Sequence, residues 1–204
     1  MRIGLLGPAD GNLTLLREAA EFLLRDYGVD QAVYLGPNDG AVEQVVELWA
    51  QQVMGQEGAG EEAFLDQAAK LALTGDAGSI RALLARDDDV RRLSALRCLP
   101  PPPARAVEVF DDKVVLFVHE KSLLDEEDIA NAFLVVYGRS KACALNRFGP
   151  RTFFTPGPLK AGRIAVIEPE AEGSLAIAQF NPQTGEPAGR DVLLSRQARL
   201  VVQS

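Results

Sequence analysis

Residues 2–6 form a short apolar run closed by Gly7-Pro8, and from Asn12 onward Leu13, Leu16, Ala20, Leu23, Leu24 and Tyr27 recur at helical spacing up to Gly28. The pattern predicts a buried strand, a loop and an amphipathic helix, with Asn12 as the N-cap and Gly28 as a left-handed terminus. Ala32-Val33-Tyr34-Leu35 reads as a second buried strand, followed by Gly36-Pro37-Asn38-Asp39-Gly40 and a helix bearing Val42, Val45, Val46, Trp49 and Val53. This β-loop-α-β-loop-α opening predicts short parallel strands covered by helices, with functional loops at the strands' C-terminal ends.

Residues 52–60 read as a linker, and 61–73, 79–86 and 88–97 as a run of helices, so 57–98 is expected to be a helical insertion. Four prolines, Pro100 to Pro103, then enforce an extended connector. The second half reads mostly as β structure. Residues 106–110 and 113–119 predict a hairpin, and 133–137, 152–155, 163–167 and 174–180 are further short strands. Residues 181–189 look turn-like, and 181–204 are expected to form a C-terminal extension in which 191–202 add a last strand or pack as a tail.

A length of 204 residues implies one domain, against roughly 150 residues per domain. A net charge of −8 gives a field that repels polyphosphate, so nucleic acid is not an expected partner and any anion site must be local. Cys98 and Cys143 show neither CxxC nor paired Cys/His spacing, which argues against a disulfide framework or structural zinc. The first residues are too short an apolar run for a signal segment, and no stretch approaches the roughly 20 apolar residues of a membrane span. A cytoplasmic protein is expected, and the Arg- and Ala-rich usage fits a bacterial one.

The loops carry the informative residues. The first reads Gly7-Pro8-Ala9-Asp10-Gly11-Asn12, the second Leu35-Gly36-Pro37-Asn38-Asp39, and later ones Val118-His119-Glu120, Tyr137-Gly138-Arg139-Ser140-Lys141 and Thr155-Pro156-Gly157-Pro158. Their order resembles that of the calcineurin-like metallophosphoesterases, in particular the small YfcE-type phosphodiesterases and the non-catalytic Vps29-like branch. The resemblance covers nearly the whole chain outside the helical stretch and the tail. It implies an α/β fold, a four-layer αββα sandwich of two mixed sheets interrupted by the helical insertion.

In that family the loops read D-x-H-G-N, G-D, G-N-x-D/E, H-G and G-H-x-H, and their side chains hold two divalent metals that activate water. Mapped onto this sequence, Pro8 stands in the aspartate position, Asp10 in the histidine position and Pro37 in the metal-bridging position. No G-N-x-D/E precedes Leu99, and Arg139 and Lys141 replace the paired histidines. The resemblance thus implies a vestigial site of Pro8, Asp10, Asn12, Pro37, Asp39, His119, Arg139 and Lys141, with no catalytic residue, no metal and no cofactor.

The chemistry agrees independently. Divalent ions need several converging O or N donors, and His119 is the single histidine of the chain. It is expected to be a structural, hydrogen-bonded residue; spacing suggests no Ser/His/Asp or Cys/His arrangement, and one histidine leaves little room for either. Residues 4–11 match neither GxGxxG nor a P-loop, and Asp10 would repel a phosphate there. Between Asp128 and Glu168 all ionisable charge is basic: Arg139, Lys141, Arg147, Arg151, Lys160 and Arg163. Arg139 and Lys141 are therefore expected to fill the emptied pocket and pair with Asp10, Asp39 or Glu120 as buried ion pairs.

The function expected is a catalytically inactive interaction or scaffold module with protein partners, and homo-oligomers are admitted. Two alternatives stand beside it: a phosphate- or nucleotide-binding regulatory module using Arg139 and Lys141, and a weak phosphodiesterase with one metal on Asp10, Asn12, Asp39 and His119. The candidate partner surfaces are the helical insertion, with Phe64, Leu65, Leu71, Leu73, Leu83 and Leu84, and the β-rich face near Phe148, Phe153 and Phe154.

Overall fold

The computed structural model describes residues 1–37, 40–54 and 61–194. The chain opens with β1 (Ile3–Leu6), α1 (Leu13–Glu21), β2 (Gln31–Tyr34), α2 (Ala41–Met54), α3 (Glu61–Thr74), α4 (Ala77–Leu93) and β3 (Leu96–Cys98). It continues with β4 (Ala106–Phe110), β5 (Lys113–Val118), α5 (Glu126–Asn131), β6 (Leu134–Tyr137), β7 (Ala144–Phe148), β8 (Arg151–Thr155), β9 (Ile164–Pro169), β10 (Leu175–Phe180) and β11 (Pro187–Leu193).

Among the described residues these strands form two mixed sheets. The larger has the order β11-β10-β9-β1-β2-β3, with β1, β2 and β3 parallel and the rest antiparallel. The smaller has the order β4-β5-β6-β8-β7, with β5, β6 and β8 parallel between antiparallel edges. Strand alternation assigns each apolar side chain to a layer. Ile3 and Leu5 of β1 point between the sheets and join Phe117, Val136 and Phe154, while Leu6 points outward against Leu16, Leu23, Val45 and Trp49 of the covering helices. On the far face of the smaller sheet, Leu116, Val118, Val135 and Phe153 pack with Ile129 of α5. This is the α/β sandwich, each fully buried Leu, Ile or Phe contributing about 1.5–3 kcal/mol of transfer free energy.

Local signals explain most of the elements. Asn12 Oδ1 accepts from Leu15 N at 3.1 Å and starts α1, which runs on through a wider π-type turn at Phe22–Tyr27 and ends on Gly28 at φ 75°. Three elements differ from expectation. Residues 79–86 and 88–97 are not two helices: α4 is continuous because Asp87 and Asp89 are engaged by Arg91 and Arg25 rather than breaking the turn. It stops at Leu93, and Leu96–Cys98 instead pair with β2 in parallel. Strand β7, not expected at all, is an edge strand whose outer residues are exposed, so it lacks the apolar run of a central strand. The final strand β11 begins at Pro187, earlier than expected, and residues 195–204 lie outside the described residues.

Candidate functional site

The C-terminal ends of β1, β2, β3, β5 and β6 converge on a cleft of about 600 Å³. Its two walls differ in chemistry. From the larger sheet come Pro8, Asp10, Leu35, Gly36 and Pro37, with Pro101 and Pro102 of the proline connector closing that side. From the smaller sheet come His119, Glu120, Leu123 and Arg139.

The loops are interlocked through their backbones. Leu159 N donates to Pro8 O at 3.0 Å, and Arg139 N donates to His119 O at 2.7 Å. A Cβ on Gly7 would lie 1.7 Å from Gly157 O, and one on Gly138 would lie 1.9 Å from Leu35 O. Only glycine permits these approaches, so the two sheets' loops meet at close to the minimum possible separation.

The charged groups pair with one another. Asp10, in a left-handed conformation at φ 51°, is held by Lys160, whose Nζ lies 2.6 Å from Oδ2. Arg139 Nη1 donates to Glu120 Oε2 at 2.7 Å. That bond, with a further one from Ser122, holds the Glu120 carboxyl below the usual carboxylate range, so it is ionised at neutral pH. His119 is 8% exposed; its Nε2 sits 3.1 Å from Pro100 O and donates to it, which leaves Nδ1 buried with no hydrogen-bond partner. The histidine thus ties the proline connector to the end of β5.

Of the eight residues assigned to the vestigial site, Pro8, Asp10, Pro37, His119 and Arg139 line the cleft. Asn12 does not: its side chain is turned to the backbone of α1 as the cap. Lys141 does not either, because the chain turns at Ser140, whose hydroxyl donates to Ala142 O at 2.8 Å, and the next side chain is exposed. Asp39 lies outside the described residues. Of the expected ion pairs, one is present among the described residues. Arg139 pairs with Glu120, but Asp10 takes Lys160 rather than Arg139 or Lys141. Nor is the Arg139 pair buried: the guanidinium side chain is 81% exposed, so the pair is a rim contact of small net worth. Pro101, Pro102 and Leu123 were not among the expected lining residues; only the proline run hinted at the first two.

A two-metal centre does not fit these residues. Pro8 and Pro37 offer no side-chain donor, the Asp10 carboxylate faces an ammonium, the Asn12 amide caps a helix, and His119 Nε2 is already bonded to Pro100 O. Among the described residues, no group of three or more His, Cys, Asp or Glu side chains is placed to hold an ion.

No protein-family model matches the sequence, and no curated protein matches it. Solved structures do. A predicted phosphoesterase from Streptococcus pneumoniae TIGR4 superposes with a TM-score of 0.51 at 12% identity, covering 94% of this chain and 95% of that one. Vacuolar Protein Sorting 29 from Cryptosporidium parvum superposes with a TM-score of 0.52 at 10% identity, covering 94% and 96%. At such identities the likeness concerns architecture, and it extends over almost the full length of both partners. With its two mixed sheets and strand-end cleft, the chain has the metallophosphoesterase-type fold.

Proposed function

We propose that this chain is a non-catalytic protein of the metallophosphoesterase fold that acts by binding a protein partner through its strand-end cleft. The observation that carries the reading is the replacement of potential metal donors by two proline positions and two internal ion pairs, Asp10 with Lys160 and Glu120 with Arg139. Water activation in this fold would need open coordination positions on ions held by carboxylate and imidazole donors. Here the carboxylates of Asp10 and Glu120 each face a cation, so their charge is balanced without an ion.

The same pairing weakens the anion-binding alternative. A phosphate at Arg139 or Lys160 would lie beside the Glu120 and Asp10 carboxylates paired with them, against a net charge of −8, and Lys141 lies off the cleft. The mono-metal phosphodiesterase alternative loses Asn12 to the helix cap and one nitrogen of His119 to Pro100.

The direct test is hydrolysis of bis-p-nitrophenyl phosphate by the full chain with excess Mn²⁺, beside elemental analysis of the dialysed protein. The reading predicts rates equal to the Mn²⁺ blank and no stoichiometric metal. Metal-dependent turnover that disappears in His119→Ala would overturn it.

A further inference from the structure

The two walls of the cleft also specify what kind of partner segment fits, an inference that rests on the binding reading just given. One wall is mostly apolar and stiff: four proline rings, Pro8, Pro37, Pro101 and Pro102, with Asp10 at its edge. The other presents Leu123 together with an acceptor and a donor on the rim, the Glu120 carboxylate and the Arg139 guanidinium, joined at 2.7 Å. A carboxylate has about four acceptor sites and a guanidinium five N–H donors, so each retains capacity after making the mutual bond. The volume, about 600 Å³, is that of a site for a few side chains rather than a single ion.

We propose that this cleft binds an uncharged, extended peptide segment of a partner protein, with an apolar side chain against the prolines and the backbone of one residue clamped by Glu120 and Arg139. In an extended chain a residue's own N–H and C=O project to the same side, which is how antiparallel strands exchange paired bonds. Glu120, ionised, can only accept, and Arg139 can only donate; together they match that N–H and C=O. Charge complementarity selects against the alternatives. An acidic or phosphorylated segment would be repelled by the Asp10 and Glu120 carboxylates that stand beside the cleft's cations. A basic one would bring its cation up against Lys160 and Arg139, which already stand beside those carboxylates. The segment with least to displace carries no charge, and its amides replace water on the rim pair while its side chain leaves water for the proline wall.

The interlocked loops make the site pre-formed, so little ordering free energy is lost on binding.

The test is selection of a phage-displayed library of ten-residue segments on the full chain. Titration calorimetry of the enriched peptides, synthesised with blocked ends, follows on the wild type, Leu123→Glu, Arg139→Ala and Lys141→Ala, each checked for an unchanged melting temperature. The enriched sequences are expected to share an uncharged apolar centre, with Kd raised about tenfold or more by Leu123→Glu, several-fold by Arg139→Ala, and unchanged by Lys141→Ala. Inorganic phosphate and AMP, titrated in parallel, are expected to give no saturable heat. No enrichment, an enriched set dominated by charged residues, full retention by the Leu123→Glu protein, or tighter binding of phosphate or AMP than of any peptide would each overturn the proposal. These outcomes leave the hydrolysis test untouched: a peptide-free but inert protein sinks the ligand class alone, whereas Mn²⁺-dependent turnover sinks the non-catalytic reading itself.

Discussion

The strand-end cleft and the outer helices α3 and α4 are held by different kinds of contact. Around the cleft, backbone meets backbone: Gly7 against Gly157, Gly138 against Leu35, Leu159 N on Pro8 O, Arg139 N on His119 O. On the outer helices, Leu65, Leu73 and Leu84 are 59%, 87% and 51% exposed, and α4 turns only Leu83 and Leu93 fully inward. Side-chain packing can relax around a substitution, whereas two backbones at minimum separation cannot. The cleft's shape is therefore over-determined by its scaffold, and the chemistry of its walls, rather than their movement, decides what it takes.

The comparison breaks most visibly at Gly138. A Cβ there would fall 1.9 Å from a carbonyl oxygen, so Gly138→Ala is expected to destabilise by about 3 kcal/mol, the upper end for overpacked sites, read by urea unfolding. A change below about 0.5 kcal/mol would mean the two loops are not in contact. Next in size is Asn12. As a cap its replacement by Ala costs about 1 kcal/mol, while Asn12→Ser, which still accepts from the first turn, restores most of that; a metal ligand would show no such rescue.

A pH effect follows from Asp76, the N-cap of α4, whose carboxyl is held below its ordinary value by the backbone N–H groups of Ser79 and Gly78. Because the folded value is the lower one, this contribution is complete above the ordinary Asp range near about 4 and is lost as pH falls through the folded value. Asp76→Asn, still a cap but neutral, is expected to match the wild type in strong acid and to lag it at neutral pH, in urea titrations at both. Smallest of all is Leu73→Ser on the outer face of α3, where stability is expected to stay within about 0.5 kcal/mol. A loss comparable to Gly138→Ala would show that the outer helices are as tightly committed as the cleft.

The sequence carried much of this where the determinant was local. Asn12 as a cap, Gly28 as a terminus, the alternating strands and the extended proline run are each decided by a few adjacent residues. It carried less where the determinant was distant. Lys160 is far from Asp10 along the chain, and nothing near either residue marks the pair. Arg139 and Lys141, only two positions apart, were treated alike, yet the turn at Ser140 separates their side chains. Strand β3, three residues long after a long helix, has no period of its own and is defined by its pairing with β2. That His119 would be hydrogen-bonded was legible, though not that its partner would be the proline connector.

The central claim concerns the cleft's chemistry, and calorimetric titration of Mn²⁺ into the full chain at neutral pH tests it most directly. The account predicts a featureless titration, unchanged by His119→Ala. Saturable uptake of one or two equivalents, abolished by Asp10→Asn or His119→Ala, would contradict it.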